Sequence, residues 1–109
     1  MPRMLLPGAS RMKPVPEPIS RDSRPRLAAK ARLRYDRKGE RYMLLYPERG
    51  LALNATAADI VRLCTGENSV AVIVDRLAAK YGQDVPTIER QVTDLLAALA
   101  ERGLVREAS

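Results

Sequence analysis

Leu45-Tyr-Pro-Glu-Arg-Gly-Leu-Ala-Leu-Asn-Ala-Thr-Ala-Ala-Asp-Ile-Val-Arg-Leu-Cys-Thr-Gly66 holds a turn, a short strand and a capped helix in immediate succession. Pro47 fixes φ and sets up a tight turn, and Gly50 eases the backbone where the chain straightens again. Leu51 and Leu53 alternate with Ala52, the period of a half-buried strand. Asn54 can cap the helix that follows, and Thr56 with Asp59 has the spacing of a capping box. Ala57, Ile60, Val61 and Cys64 recur on one helical face, with Gly66 placed as its left-handed stop. Everything upstream of this stretch reads as strand or tail, and everything downstream as helix.

Upstream, Ala31-Arg-Leu-Arg-Tyr-Asp-Arg37 alternates apolar with charged residues. That pattern predicts a strand with Leu33 and Tyr35 inward and Arg32 and Arg34 outward. Asp36-Arg-Lys-Gly39 reads as a turn, with Gly39 available for positive φ. Arg41-Tyr-Met-Leu-Leu-Tyr46 is a second strand, and its apolar run suits the centre of a small meander. With Leu51–Leu53 as the third strand, an antiparallel meander is the simplest topology.

Downstream, Ser69 is placed to cap a helix whose apolar face is Val70, Ile73, Val74, Leu77 and Tyr81, with Gly82 as its end. Asp84 and Pro86 open a third helix, since proline is tolerated in a first turn. Ile88, Val92, Leu95, Leu96 and Leu99 form its stripe, Gly103 stops it, and Leu104-Val105 closes the chain as a short strand or docked end. The expected class is α+β: a winged helix-turn-helix-like arrangement of a three-stranded antiparallel meander followed by three helices.

Of 109 residues, 1–26 hold six of the eight prolines and six Lys/Arg, so they read as a disordered, basic, Pro-rich tail with little to bury. A basic arm touching an acidic partner is the functional alternative. Residues 27–109 then form one small domain. Residues 1–41 carry twelve Lys/Arg against four Asp/Glu, a balance of +8; residues 42–109 carry seven against nine, a balance of −2. The helical body is therefore mildly acidic despite the overall charge of +6. The opening residues lack the long apolar run of a signal peptide, and no stretch of the chain would span a membrane. One cysteine cannot form an internal disulfide, and a cytoplasmic location is expected.

The inventory excludes most chemistry. There is no histidine, hence neither the commonest general base nor the commonest metal ligand. Cys64 lies on an apolar face, where it acts as a small hydrophobe. No zinc-ligand spacing and no Gly-rich phosphate loop occurs. Glu48 and Asp59 are accounted for by turn and cap roles. The expectation is a protein with no catalytic residues, no cofactor and no metal.

The positive signal is structural. The third strand leads straight into helices, leaving one edge unpaired, so the backbone of residues 50–54 can accept an added strand. That strand can come from a peptide, or from a second copy of the chain in a homodimer. DNA binding is the other reading that the winged fold invites. The candidate recognition helices expose Asp75, Arg76 and Lys80, or Glu89, Arg90, Gln91 and Asp94. These faces are mixed in sign, which argues against nucleic acid.

The quoted stretch, with its Pro-Glu-Arg, Leu-Asn and Leu-Cys-x-Gly in this order, resembles the pyrroloquinoline quinone (PQQ) biosynthesis protein D family (PqqD). The likeness runs from Arg24-Pro-Arg-Leu27 to Gly103-Leu-Val105. It implies a RiPP recognition element, a peptide chaperone. Such a protein captures the PQQ precursor peptide by strand addition and presents it to a radical S-adenosylmethionine enzyme. The implied peptide-binding residues are Gly50, Leu51, Ala52, Leu53 and Asn54 on the strand, with Val92, Leu95, Leu96 and Leu99 on the last helix. Family members usually carry Asp-Val-x-x-Leu-Leu in that helix. This chain has Gln91-Val-Thr-Asp-Leu-Leu96, so the acidic position is changed.

Overall fold

A strand with neighbours on both sides has the least freedom to carry polar side chains, and Arg41-Tyr-Met-Leu-Leu-Tyr46 occupies that place. The computed structural model describes residues 19–47 and 49–108. Along them run β1 (Pro25–Leu27), β2 (Arg32–Asp36), β3 (Arg41–Tyr46), β4 (Arg49–Leu53), α1 (Ala55–Arg62), α2 (Val70–Tyr81), α3 (Val85–Glu101) and β5 (Val105–Glu107). Strands β2, β3 and β4 pair antiparallel in that order, so the apolar β3 is central and the meander precedes three helices, as its sequence pattern requires.

The register divides the side chains cleanly. Leu33 stands opposite Leu44, and Leu44 opposite Leu51; Tyr35 opposite Tyr42, and Tyr42 opposite Leu53. This inner face is crossed by α1. Leu44 and Leu53 are buried there with Ile60 and Val61 of the helix. α2 and α3 pack on each other, and α3 also meets β5. Their shared core includes Ile73, Val74, Ile88, Leu96 and Leu99. At about 25 cal/mol per Å² of apolar surface removed from water, each such Leu or Ile contributes roughly 1.5–3 kcal/mol.

All three helices begin on the expected caps. Asn54 Oδ1 accepts from Ala57 N at 2.8 Å, Ser69 Oγ from Val72 N at 3.2 Å, and Asp84 Oδ2 from Thr87 N at 3.1 Å. Gly82, at φ 63° and ψ 35°, ends α2 in the left-handed region that glycine enters without strain.

Five expectations change. Tyr35 shares the inner face but is 52% exposed, because edge strand β2 ends one residue later; the Tyr42 ring meets it edge-on, at 5.0 Å between ring centroids. The left-handed residue of the β2–β3 turn is Glu40, at φ 53°, not Gly39. Gly39 serves by lacking a side chain, since a Cβ there would stand 2.7 Å from Asp36 Oδ2. Gly66 does have positive φ, at 89°, but α1 ends at Arg62 with Leu63 as its C-cap, so the glycine shapes the loop rather than stopping the helix. Thr56 and Asp59 form no capping box, because Asn54 sets the cap and Asp59 lies in the helix beyond the first turn. Finally, the ordered chain begins before residue 27. β1 pairs antiparallel with β5, setting Pro25 opposite Glu107 and Leu27 opposite Val105 in a second, two-stranded sheet. The expectation of a disordered tail over residues 1–18 lies outside the described residues.

Candidate functional site

The three-stranded sheet has two free backbone edges, on β2 and on β4, and the β4 edge is the one that leads directly into α1. Tyr46 is paired with Arg49 across a two-residue connection, and Asp36 with Arg41 across four residues. Hairpins of these lengths close on hydrogen-bonded pairs, and the pairing alternates along each ladder. Tyr42, Leu44 and Tyr46 therefore turn their backbone groups toward β4, and Arg49, Leu51 and Leu53 answer them. Gly50 and Ala52 are left with N–H and C=O directed away from the sheet. Neither makes any other backbone hydrogen bond among the described residues, and both are exposed.

The other sequence-predicted residues divide by depth. Asn54 is exposed and occupied in capping α1. Leu51 and Leu95 are half-buried against the core, and Leu53 is buried within it. Val92, Leu96 and Leu99 are no more than 1% exposed. Of the four α3 positions only Leu95 offers surface, because the stripe that reads as a groove wall is the face by which α3 joins the core.

Sequence reasoning missed the role of Asp59. This carboxylate is 8% exposed. It accepts from Arg62 Nη1 at 2.5 Å, Lys80 Nζ at 2.7 Å and Tyr81 Oη at 2.5 Å, tying α1 to the end of α2. Arg62 in turn stands over the Tyr42 ring at 4.8 Å, which extends the connection to β3. Burial alone raises the Asp59 pKa, but the hydrogen bonds from Lys80 and Tyr81 with the charges of Lys80 and Arg62 outweigh it, and the net shift is downward. The one legible signal was an acid set between Ala58 and Ile60 on an apolar face. Because the folded pKa is lowered, the stabilisation is complete at neutral pH and is lost as pH falls from about 3.8 through the folded value. Asp59→Asn is expected to cost about 1–2 kcal/mol at pH 7, charge-assisted hydrogen bonds to largely exposed partners being discounted for screening. Urea melts of both proteins at pH 7 and pH 3 check this; the difference should shrink at the lower pH.

Cys64 is buried, its Sγ donates to Ile60 O at 3.2 Å, and burial pushes the thiol up to about 12. No group of three or more His, Cys, Asp or Glu among the described residues could hold a metal ion. No described helix is long and apolar enough to cross a membrane.

Residues 41–105, from the start of β3 into β5, match the family model of coenzyme PQQ synthesis protein D. The chain belongs to the PqqD family. A PqqA binding protein of Rhodopseudomonas palustris (strain HaA2) is 43% identical over 90 residues, covering 83% of this chain and 88% of its own. The solution structure of the PqqD truncation of Methylobacterium extorquens PqqCD represents a functional, stand-alone RiPP recognition element. It superposes with a TM-score of 0.67 at 34% identity, over 75% of this chain and 87% of that one. Lasso peptide synthetase B1 complexed with the leader peptide aligns with a TM-score of 0.65 at 26% identity, covering 77% and 99%. The PqqA binding protein and the recognition element are named for binding and recognition rather than for catalysis.

Proposed function

We propose that this chain is a peptide chaperone of PQQ biosynthesis: it binds the ribosomal precursor peptide by strand addition and presents it to a radical S-adenosylmethionine enzyme. The observation that carries the reading is the open outer edge of β4, with Gly50 and Ala52 turned outward. The fold around it is shared with a synthetase that is complexed with a leader peptide. The peptide backbone pairs along Gly50–Asn54. Leu51 and Leu95 supply apolar contact, while Leu53, Val92, Leu96 and Leu99 form the floor that holds strand and helix in place. A peptide held on the carrier keeps its reacting segment at a high effective concentration near the enzyme. The chain itself performs no chemistry.

Ala52→Pro tests the mechanism. Proline removes the outward N–H and leaves the β3–β4 ladder its own bonds. The variant is expected to fold and to bind the precursor peptide more weakly by about 1 kcal/mol, roughly fivefold in Kd. Calorimetric titration beside a circular-dichroism melt reads both quantities. A folded variant with full affinity would show that the peptide is held elsewhere.

A further inference from the structure

The outer face of the three-stranded sheet is unlike the solvent face of an ordinary two-layer fold. By the register, Arg32, Leu45 and Gly50 form one row across it, Arg34, Met43 and Ala52 the next, and Asp36 with Arg41 the last. A sheet with helices on one side normally sends polar residues outward. β2 obeys with Arg32 and Arg34, but β3 places Met43 and Leu45 outward, half-buried and outside the set of side chains packed against the core. These two side chains extend over Gly50: a Cβ there would lie 3.1 Å from both Leu45 Cδ2 and Met43 Cε. Gly50 has no positive φ, so its want of a side chain is used for this cover and not for a turn. The result is an apolar centre beside a row of arginines. Arg32, Arg34 and Arg41 are exposed, and none is in a salt bridge among the described residues.

We propose that this face is a docking surface for a protein whose contacting surface is acidic around an apolar centre. Methionine and arginine are enriched at protein interfaces, and an apolar middle with a charged border is their usual anatomy. Nucleic acid would answer the arginines but leave Met43 and Leu45 without partners. A second copy of this face would set arginine against arginine. The basic residues Arg3, Arg11 and Lys13 make the N-terminal segment a poor match for the same reason. Position identifies the source of such a partner. Strands lie about 4.8 Å apart, so a strand added beyond β4 runs roughly 10 Å from Met43 and Leu45. A protein seated here touches the sheet beside the bound peptide without occupying its edge. The inference rests on the peptide-chaperone reading and makes this face the contact with the enzyme that receives the peptide.

The test uses the full chain, the precursor peptide and the radical S-adenosylmethionine enzyme of the pathway. Arg32→Glu with Arg34→Glu is expected to weaken enzyme binding at least tenfold while peptide Kd stays within twofold. Wild-type affinity for the enzyme should fall as salt is raised, since border charges are screened. Arg32→Gln with Arg34→Gln carries the same test, with a smaller loss, should the reversal fail to fold. Unchanged enzyme binding in the folded variants overturns the proposal, as does equal loss of peptide. A wild-type chain that binds peptide but not the enzyme overturns the assigned partner and leaves the peptide reading standing. A 20-base-pair DNA duplex that binds the wild type more tightly than the enzyme does, and is lost in the reversal, overturns it in favour of nucleic acid.

Discussion

Leu96→Asp is expected to abolish the folded state, not to blunt a binding groove. Leu96 is 1% exposed, in a core shared with Ile73, Ile88 and Leu99. Truncating a buried leucine to alanine already costs about 2–5 kcal/mol. A carboxylate adds the penalty of an uncompensated polar group, several kcal/mol even after its pKa rises to keep it neutral. Small domains have on the order of 5–15 kcal/mol in total, and this one has no disulfide to restrain its unfolded chain. The measurement is a thermal melt by circular dichroism: the variant should lack a cooperative transition, and Leu96→Ala should retain one at lower Tm. A Leu96→Asp protein that melts normally but has lost the peptide would place Leu96 in an open groove.

That outcome separates what the sequence could reveal from what it could not. Periodicity identified the α3 stripe correctly, because residues three and four apart share a helix face whatever that face meets. It could not distinguish a groove from a core. Val92, Leu96 and Leu99 present the same pattern in either case, and the choice depends on what α2 and β5 bring against them. The meander was legible for a firmer reason. Alternation in β2, the apolar run of β3 and the turn at Pro47 each constrain pairing locally, and one register satisfies all three. The outward direction of Gly50 and Ala52 needed the register itself.

Asp59 failed to stand out because its partners are distant in sequence. Lys80 and Tyr81 lie 21 and 22 residues away, and only the packing of α1 on α2 brings them to the carboxylate. The outer sheet face is a contrary case. Met43 and Leu45 were visible as an apolar excess in β3, but that excess was absorbed by the central position of the strand. The structure shows that centrality explains the inner face, through Leu44, and leaves the other two side chains unaccounted for by the fold.

Removing residues 1–26 is expected to destabilise the domain substantially, although composition suggested a dispensable tail. Arg24 N donates to the Glu107 carboxylate at 2.8 Å, and Arg24 O accepts from Ala108 N at 2.8 Å. Pro25 O accepts from Gly66 N at 3.0 Å, Ser23 O from Val70 N at 2.8 Å, and Arg21 O from Ala71 N at 3.0 Å. The last two satisfy N–H groups in the first turn of α2, which have no partner within the helix. Arg21 also pairs with Glu89 of α3 at 3.2 Å, though both side chains are partly solvated and the pair adds little. Each buried or capping bond contributes about 0.5–1.5 kcal/mol, and ordering the segment offsets part of the sum. The net loss should be about 2–4 kcal/mol, or a Tm lower by roughly 10–20 °C for a domain of this size. Deleting only residues 1–18 leaves every one of these bonds in place, so the two truncations should melt far apart. Equal melting temperatures would mean that β1 and the segment before it contribute nothing to the domain, and that β5 is held by α3 alone.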